Sequence, residues 1–551
     1  MAATIDELRT RAEAWLADDP DPASRDELGA VLARLPDPSA TAELADRFAG
    51  PLTFGTAGLR GPLRAGPNGM NRAVVRAAAA GLAGWLDQRG ATGPLVIGYD
   101  ARHGSYDFAV ETSRVATGAG RAAFLMPRPL PTPVLAYAVR TLGAAAGVMV
   151  TASHNPPQDN GYKVYLGTGL GGATGAGAQI VPPVDAEIEA AIRAIQHLRA
   201  VALGDPGEVV DDDLVASYVD SAAGVVDRDE PKALTVAYTP LHGVGAEVLT
   251  AAVRRAGFAV PAVVAEQAEP DPAFPTVAFP NPEEPGAMDL LFALATNTDA
   301  DIAIANDPDA DRCAVGLPAG RGWRALRGDE VGVLLADHLM RRGVRGTYAT
   351  TIVSSSMLRA MCAKRGLPYA ETLTGFKWIV RGAEDLVFGY EEALGYCVAP
   401  DLVRDKDGIT AALLVCELAA GLKAEFRTLA DRLDELAAEF GVYVTDQLSI
   451  RVDDLSEIDA TMARVRQKPP ASLLDEAVTS IEDLEPEADV VVLRTASARV
   501  VVRPSGTEPK LKAYLEIVEP VAGGDVTAAR ERAAASVRAL RTETAAALGI
   551  W

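Results

Sequence analysis

The sequence contains little cysteine, and its cysteines are widely spaced. Only four occur in 551 residues, and no two of them form a C-x-x-C pair. That spacing argues against a structural zinc site and against a disulfide scaffold. The chain also lacks any run of the roughly 18 apolar residues that a membrane-spanning helix needs. We therefore expect a cytoplasmic protein without a membrane partner.

Positive charge is scarce as well. The chain has 52 Lys and Arg residues against 75 Asp and Glu residues, for a net charge of −23. Such a surface repels the phosphate backbone of nucleic acids and anionic lipids. The first 20 residues are acidic, have helix-like apolar spacing and lack the basic and apolar regions of a signal peptide. We therefore expect small molecules, and not nucleic acid, as partners.

The hydrophobic content of 49% is enough for several cores, and the length predicts about three to five domains. Strands and helices alternate up to about residue 440, which is typical of α/β sheets with mainly parallel strands. We predict three tandem related α/β domains with mixed, largely parallel sheets, followed by a smaller α+β domain. The predicted boundaries are 1–210, which includes an N-terminal helical arm, 211–318, 319–440 and 441–551.

A serine follows one predicted buried strand, at 147–150. Asn155, Pro156 and Pro157 prevent a helix from starting there, so the hydroxyl of Ser153 lies on a stiff loop at the carboxyl end of a strand. Ligands of open α/β sheets bind at such ends. The neighbouring His154 raises the alternative of a hydrolase triad. Adjacent side chains of an extended loop point apart, however, and no G-x-S-x-G motif surrounds the serine.

Three alternating aspartates follow another predicted strand, at 301–305. In an extended loop, the carboxylates of Asp307, Asp309 and Asp311 can converge on one cation. An EF-hand would need Gly and Glu where this chain has Arg312 and Pro318, whereas Mg²⁺ takes a few carboxylates together with phosphate oxygens. The alternative for such a triplet is an acidic surface turn.

A cationic loop in the last domain has the composition of a phosphate site. Residues 503–507 offer the guanidinium of Arg503, the hydroxyls of Ser505 and Thr507 and the amide of Gly506. Arginine binds a phosphate dianion with two hydrogen bonds, and backbone amides complete the cradle. An ordinary turn is the alternative, although clustered cations in so acidic a chain favour phosphate.

Residues 167–172 match the pattern G-x-G-x-x-G, which raises the alternative of a dinucleotide-binding oxidoreductase. The fingerprint requires a helix to follow, but more glycine and then two prolines come next. We therefore interpret the segment as a flexible insertion.

Taken together, four loops in chain order resemble those of the α-D-phosphohexomutase superfamily, the phosphoglucomutase and phosphomannomutase enzymes. These loops are 151–157, 307–312, 391–395 and 503–507. Further segments that look like the family are 54–61, 279–284, 374–378 and 404–408. The resemblance covers nearly the whole chain.

The resemblance implies a four-domain, heart-shaped enzyme in which Ser153 carries a phosphoryl group. Mg²⁺ would bind that group together with Asp307, Asp309 and Asp311, and glucose 1,6-bisphosphate would be the intermediate and activator. Lys163 is similar to the proton-transfer residue of the family, and a pKa lowered by neighbouring cations would suit that role. The other residues with implied roles are catalytic His154 and Arg60 and substrate-binding Arg312, Gly375, Lys377, Glu391, Arg503, Ser505, Gly506 and Thr507.

The sugar loop departs from a common form of the family, because Ala393 stands where many hexose enzymes have a serine hydroxyl. Its Glu-Glu-Ala form looks like the branch that includes phosphoglucomutases and phosphopentomutases. The first prediction is a phosphoglucomutase that interconverts glucose 1-phosphate and glucose 6-phosphate. Phosphomannomutase and phosphopentomutase activity on ribose or deoxyribose 1-phosphate are alternatives, and a non-catalytic sugar-phosphate-binding protein is a remote one.

Overall fold

The structure is a computed structural model that describes residues 4–54, 58–452, 456–505 and 510–549. The chain forms two compact units, one of Met1–Ala325 with Gly395–Ala420 and the other of Leu326–Leu394 with Gly421–Trp551. Each unit contains sheets covered by helices, which confirms the predicted α/β class. Within the described residues, no helix is both long and apolar enough to cross a membrane.

The chain begins with a three-helix arm, α1 Ile5–Asp18, α2 Pro22–Ala33 and α3 Pro38–Arg47. Side chains cap each helix: Thr4 forms a capping box with Glu7, and Asp21 and Asp37 cap helices that begin with proline. The apolar faces of the three helices meet in a small core, which includes Leu8, Leu28, Leu44 and Phe48.

The first α/β domain follows the arm. Its elements are β1 Leu59–Pro62, α4 Arg72–Gln88, β2 Leu95–Tyr99, α5 Ser105–Gly118, β3 Ala123–Leu125, α6 Thr132–Thr141, β4 Ala146–Val150, β5 Asp159–Leu166, α7 Thr168–Gly175, α8 Val184–Arg193 and β6 Glu208–Val209. The strand order is β1-β5-β4-β2-β3-β6, with β4, β2, β3 and β6 parallel and the β1 and β5 pairings antiparallel. Because β2 and β4 are parallel, the loops after them leave from one edge of the sheet.

A second α/β domain completes most of the first unit. Its elements are α9 Asp212–Ala223, β7 Val236–Thr239, α10 Gly245–Arg255, β8 Ala262–Val263, α11 Asp289–Asn297, β9 Ile302–Ala305, β10 Ala314–Ala319 and β11 Gly322–Ala325. The order is β11-β10-β9-β7-β8, and β7, β8 and β9 are parallel. The aspartate loop joins β9 to the antiparallel β10.

The third run of elements is shared between the units. It comprises α12 Gly328–Arg341, β12 Thr347–Thr351, α13 Met357–Arg365, β13 Tyr369–Thr372, α14 Phe376–Ile379, β14 Leu386–Glu391, β15 Gly395–Cys397, α15 Gly408–Ala424 and α16 Leu429–Phe440. In the second unit, β12 pairs in parallel with both β13 and β14. The segment from β15 to residue 420 belongs to the first unit.

The last domain is a different architecture. Its elements are β16 Val442–Arg451, α17 Ser456–Gln467, β17 Ser472–Leu473, β18 Glu476–Ala477, β19 Ser480–Asp483, β20 Val491–Arg494, β21 Ala498–Pro504, β22 Lys510–Glu519 and α18 Val526–Ala547. The strands β16-β22-β21-β20-β19 pair antiparallel throughout. Residues from the sheet, α17 and α18 share one hydrophobic core. These elements form the smaller α+β domain that the sequence predicts.

Candidate active site

Ser153 lies three residues beyond the end of β4, on a tightly held loop. Its φ of 52° is in the left-handed region, which non-glycine residues rarely adopt. Such strain persists only where surrounding bonds determine the conformation. The Ser153 amide donates to Thr151 Oγ1 at 2.9 Å, and the residue is 2% exposed. The hydroxyl is therefore fixed in place.

A buried arginine that follows β2 holds the same loop. The guanidinium of Arg102 donates to four backbone carbonyl oxygens, those of Ser153 (2.7 Å), Asn155 (2.5 Å), Pro156 (2.8 Å) and Asp159 (3.1 Å). Its Nε lies 3.4 Å from Asp100 Oδ2, and its guanidinium lies over the Phe274 ring, 4.9 Å from the centroid. One side chain thus bonds three carbonyl oxygens of the loop and that of the first residue of β5.

Asp307, Asp309 and Asp311 lie on the loop between β9 and β10 and are fully buried. A turn at Ala310, whose φ is 53°, brings three of their oxygens within 4.8 Å of one another. The loop packs closely on Gly243, where an added Cβ would lie 2.3 Å from Pro308 Cα. The Ser153 hydroxyl donates to Asp307 Oδ2 at 2.8 Å. The serine and the aspartates, which the sequence places on separate loops, therefore form one cluster.

The donor set of this cluster fits a divalent cation with oxygen ligands. Asp309 Oδ1 and Asp311 Oδ1 are buried and have no hydrogen-bond partner among the described residues. A buried carboxylate oxygen without a partner is costly unless a cation or a donor satisfies it. Three convergent carboxylates with a serine oxygen beside them suit Mg²⁺, which takes a few protein oxygens and completes its shell elsewhere.

Electrostatic interactions within the cluster shift the pKa values of Asp307 and Asp309 in opposite directions. Burial raises the pKa of Asp307 well above its ordinary value, and the charges of Asp309 and Asp311 add to the effect. Burial also opposes ionisation of Asp309, but Lys163 and hydrogen bonds outweigh it and lower the pKa of Asp309. This concentration of buried negative charge favours the arrival of a cation.

Lys163 lies on β5 and donates from Nζ to Asp309 Oδ2 at 2.8 Å and to Asp311 Oδ2 at 3.2 Å. The sequence-based expectation of a lowered lysine pKa is wrong in this structure. Burial alone would lower the pKa of Lys163, but the two carboxylates outweigh it and raise that pKa. The nearby cation Lys406, 3.3 Å from Asp311 Oδ2, opposes them with a smaller effect.

His154 does not point away from Ser153 as an extended loop would require. The Ser153 backbone is in the left-handed region, and His154 Nδ1 lies 3.4 Å from the Ser153 hydroxyl and 4.0 Å from Asp307 Oδ2. Burial lowers the pKa of His154 well below its ordinary value, and the charges of Arg312 and Arg60 add to that shift. The imidazole is therefore neutral at pH 7.

Two arginines lie beside the cluster. Arg60 is part of β1, since residues 59–62 pair with β5. It donates to Asn155 Oδ1 at 3.0 Å, on the serine loop. Arg312 Nε lies 3.8 Å from Asp307 and from Asp311, and its amide donates to Asp307 Oδ1 at 3.0 Å. Both positions suit charge neutralisation next to Ser153.

The remaining predicted site residues lie in the second unit. Glu391 ends β14, and Gly375, with a φ of 109°, precedes α14, where Lys377 is 7% exposed. Glu392 accepts from Ser354 Oγ at 2.9 Å, and burial raises the pKa of Glu392 to about 7.

The predicted phosphate-binding loop, residues 503–507, lies partly within the described residues. Arg503 lies on β21 opposite Lys512, and the Ser505 amide donates to the Lys510 carbonyl oxygen at 2.7 Å. Burial raises the pKa of Tyr514, and nearby glutamates and Arg503 act on it in opposite directions. Gly506 and Thr507 lie outside the described residues.

The glycine-rich segment, which the sequence predicts to be a flexible insertion without a helix, contains helical turns. Residues Thr168–Gly175 form a short helix with a kink at Gly172, whose φ is 63°. Gly172 interrupts the helical turns, and the preceding β5 is antiparallel to β4. A dinucleotide fingerprint requires a parallel βαβ unit, so the structure does not support that alternative.

Sequence reasoning missed three residues that contact this cluster or its loop: Arg102, Thr132 and Lys406. Thr132 donates to Asp309 Oδ2 at 2.7 Å. A weak signal existed for two of them, since Arg102 follows a strand end and Lys406 lies in one of the family-like segments. Nothing in the local sequence around Thr132 indicates its partner.

Comparison with known proteins extends over all four domains. Models of the phosphoglucomutase/phosphomannomutase family match its α/β/α domain I at 51–199, domain II at 216–320, domain III at 327–440 and the C-terminal domain at 448–533.

Three relatives cover most of the chain. A protein named probable phosphomannomutase from Haemophilus influenzae is 46% identical, over 81% of this chain and 93% of its own. The phosphopentomutase of Mus musculus is 33% identical over 88% and 86%, and the phosphoglucomutase of Staphylococcus haemolyticus is 33% identical over 85% and 90%. The sequence resemblance is thereby confirmed: the chain belongs to the phosphoglucomutase/phosphomannomutase family and is a phosphosugar mutase.

Proposed function

We propose that this mutase carries its phosphoryl group on Ser153 and requires Mg²⁺ at Asp307, Asp309 and Asp311. The observation that carries the proposal is the 2.8 Å hydrogen bond from the Ser153 hydroxyl to Asp307 inside a buried, cation-compatible cluster. When bound, a divalent cation supplies positive charge beside the transferring phosphoryl group. Arg60 and Arg312 supply further positive charge there.

In the proposed first step, a hydroxyl of the sugar monophosphate attacks the phosphoryl group on Ser153. A phosphorus–oxygen bond to the sugar forms, the bond to Ser153 Oγ breaks, and Oγ keeps the electron pair. The sugar bisphosphate then returns its other phosphoryl group to Ser153 in the reverse sense. Phosphoryl transfer depends mainly on position and charge neutralisation, which a buried, fixed serine satisfies.

Each half-reaction also moves a proton. The attacking hydroxyl loses one and the departing oxygen gains one, and we assign this transfer to Lys163 Nζ. The raised pKa of Lys163 keeps it protonated at neutral pH. The ammonium gives its proton to the departing oxygen, and the amine that is left takes the proton of the attacking hydroxyl. Neutral His154, with Nδ1 3.4 Å from Oγ, lies beside the serine hydroxyl and would help to orient it.

In the second unit, we assign sugar and phosphate recognition to separate loops. Glu391 would accept hydrogen bonds from sugar hydroxyls, and Gly375 and Lys377, in the segment 374–378, would also bind substrate. Arg503, Ser505, Gly506 and Thr507 would hold the phosphate that does not react. A separate phosphate clamp suits a reaction in which the substrate binds in two orientations.

For the substrate, we propose glucose 1-phosphate and glucose 6-phosphate, with glucose 1,6-bisphosphate as intermediate. A phosphoglucomutase 33% identical over 85% of this chain supports that choice. The relative named probable phosphomannomutase, 46% identical, favours mannose phosphates as the second candidate. The Ala393 side chain, which offers no hydroxyl, and the phosphopentomutase relative favour pentose phosphates as a third.

The phosphoserine is tested by intact-mass measurement after incubation with glucose 1,6-bisphosphate. We expect one added phosphate on the native protein and none on Ser153→Ala. Ser105→Ala is the matched control, because Ser105 is also buried and also donates to a buried aspartate, Asp100, at 2.6 Å. A phosphate that persists on Ser153→Ala would place the phosphoryl group elsewhere.

The substrate is tested with the phosphorylated enzyme and Mg²⁺ on glucose, mannose, ribose and deoxyribose 1-phosphates. We expect the highest kcat/KM with glucose 1-phosphate. A higher value with mannose or a pentose would overturn the glucose proposal and leave the phosphoserine proposal intact. Turnover of none of the four would contradict both.

A further inference from the structure

Thr132, at the start of a helix, donates hydrogen bonds to a residue outside that helix. It is the first residue of α6, and it is fully buried. The N-cap position of α6 is occupied by Pro131, and the helix has no side-chain cap. Instead, Thr132 Oγ1 donates to Asp309 Oδ2 at 2.7 Å and its amide donates to the Asp309 carbonyl oxygen at 2.9 Å. Both donors of Thr132 therefore serve one residue, 177 positions away.

The two oxygens of the Asp309 carboxylate have opposite environments. Oδ2 accepts from Thr132 Oγ1 and from Lys163 Nζ, at 2.7 and 2.8 Å. Oδ1 is buried and has no hydrogen-bond partner among the described residues. Two donors on one oxygen set the rotation of the carboxylate about its Cβ–Cγ bond. The position of Oδ1 is thereby fixed as well.

We propose that Thr132 is a positioning residue, which orients Asp309 so that Oδ1 is its cation ligand. The inference rests on the proposed function, because it assumes that the three aspartates bind a divalent cation. A ligand that is already oriented does not lose rotational freedom when the cation binds. Groups that hold metal ligands in this way commonly change metal affinity by about 10- to 100-fold when removed.

A purely structural role for Thr132 makes a different prediction. The amide bond from Thr132 to the Asp309 carbonyl oxygen ties α6 to the aspartate loop, and it survives any substitution that keeps the amide. Thr132→Val therefore removes only the hydroxyl and keeps the shape and the tie. If the residue serves only to hold the loop, cation affinity will stay the same.

The test is a direct binding titration of the full-length protein with Mn²⁺, followed by electron paramagnetic resonance of the free ion, without substrate or turnover. We expect Thr132→Val to raise the Kd about 10- to 100-fold. Thr132→Ser keeps a donor and is expected to stay within about threefold of the native protein by the same reasoning. Thr112→Val is the matched control, since Thr112 is equally buried and donates to the Phe108 carbonyl oxygen of its own helix, away from the aspartates.

Thermal unfolding of each variant establishes that it is folded. Should Thr132→Val fail to fold, Thr132→Ala makes the same test, because it too removes Oγ1 and keeps the amide. Native-like Mn²⁺ affinity in the hydroxyl-free variant would overturn the inference and leave the proposed metal site standing. Absence of Mn²⁺ binding by the native protein would overturn both.

Discussion

The serine and aspartate cluster in the first unit and the sugar loop in the second differ in how firmly their groups are held. In the cluster, Ser153 and Lys163 are buried and hydrogen-bonded to residues from another loop, Ser153 to Asp307 and Lys163 to Asp309. In the sugar loop, Glu391 ends a strand and is partly exposed, and Ala393 contributes no hydroxyl. The proposed chemistry is thus built on fixed groups, whereas the proposed recognition of the sugar rests on fewer of them.

This difference suits the roles that we propose for the two regions. Phosphoryl transfer requires in-line geometry, and displacements of about 1 Å cost on the order of 100-fold in rate. Sugar recognition depends on differences between a few hydrogen bonds, so the loss of one hydroxyl alters selectivity more than rate. Substitutions in the cluster should therefore have large effects on turnover, and those in the sugar loop small ones.

The largest effect is expected for Lys163→Met. Loss of the proton carrier should reduce kcat by about 10²- to 10⁴-fold, with little change in the KM for the sugar phosphate. Steady-state kinetics of the phosphorylated enzyme will measure both. Lys364→Met is the control, because it removes an exposed ion pair with Glu439. A kcat within threefold of the native value would remove Lys163 from the mechanism.

A somewhat smaller effect is expected for Arg102→Lys. A lysine ammonium cannot reach the four carbonyl oxygens that the guanidinium now bonds, so Ser153 should shift while the positive charge remains. We expect kcat to fall on the order of 100-fold with an unchanged KM.

Single-turnover transfer from the phosphorylated enzyme will measure this fall. The control is Arg121→Lys, since Arg121 also donates to backbone carbonyl oxygens, those of Ala91 and Gly93, in the same domain. Equal effects of the two substitutions would mean that support of the serine loop has no special importance.

Glu392 should make stability depend on pH. Burial raises its pKa from 4.5 to about 7, so between these values the unfolded chain releases a proton that the folded protein keeps. The stabilisation that comes from the raised pKa of Glu392 is complete below about pH 4.5 and is lost as the pH rises to about 7.

Relative to Glu392→Gln, the free energy of unfolding of the native protein should fall by on the order of 1–3 kcal/mol between about pH 4.5 and about pH 7. Urea unfolding of both proteins at pH 4.5, 6 and 8 will measure the difference. Parallel stability curves would contradict the raised pKa.

The smallest effect is expected for Ala393→Ser. A new hydroxyl in the sugar loop should change the ratio of kcat/KM between hexose and pentose phosphates by on the order of tenfold, with kcat on the better substrate nearly constant. The panel of sugar 1-phosphates will measure the ratio. A fall in kcat comparable with that of Arg102→Lys would show that the sugar loop is as constrained as the cluster.

Much of the site was predictable because its signals are local. Ser153 follows a buried strand and precedes two prolines, and three alternating aspartates follow another strand, so strand ends and spacing were sufficient to choose them. The direction of the Lys163 pKa shift was not predictable, since it depends on carboxylates 146 and 148 residues away. The expectation that His154 points away from Ser153 was wrong, because no local sequence pattern predicts the left-handed backbone conformation of Ser153.

The sequence by itself determined the α/β class, the family and the chemical types gathered in the site. Those follow from local periodicity, strand ends and motif order. The tertiary structure alone decided which residues orient them, because Arg102 and Thr132 act on partners 51 to 57 and 177 positions away. Hydrogen bonds between distant segments depend on how the sheets bring loop ends together, and no local pattern encodes that approach.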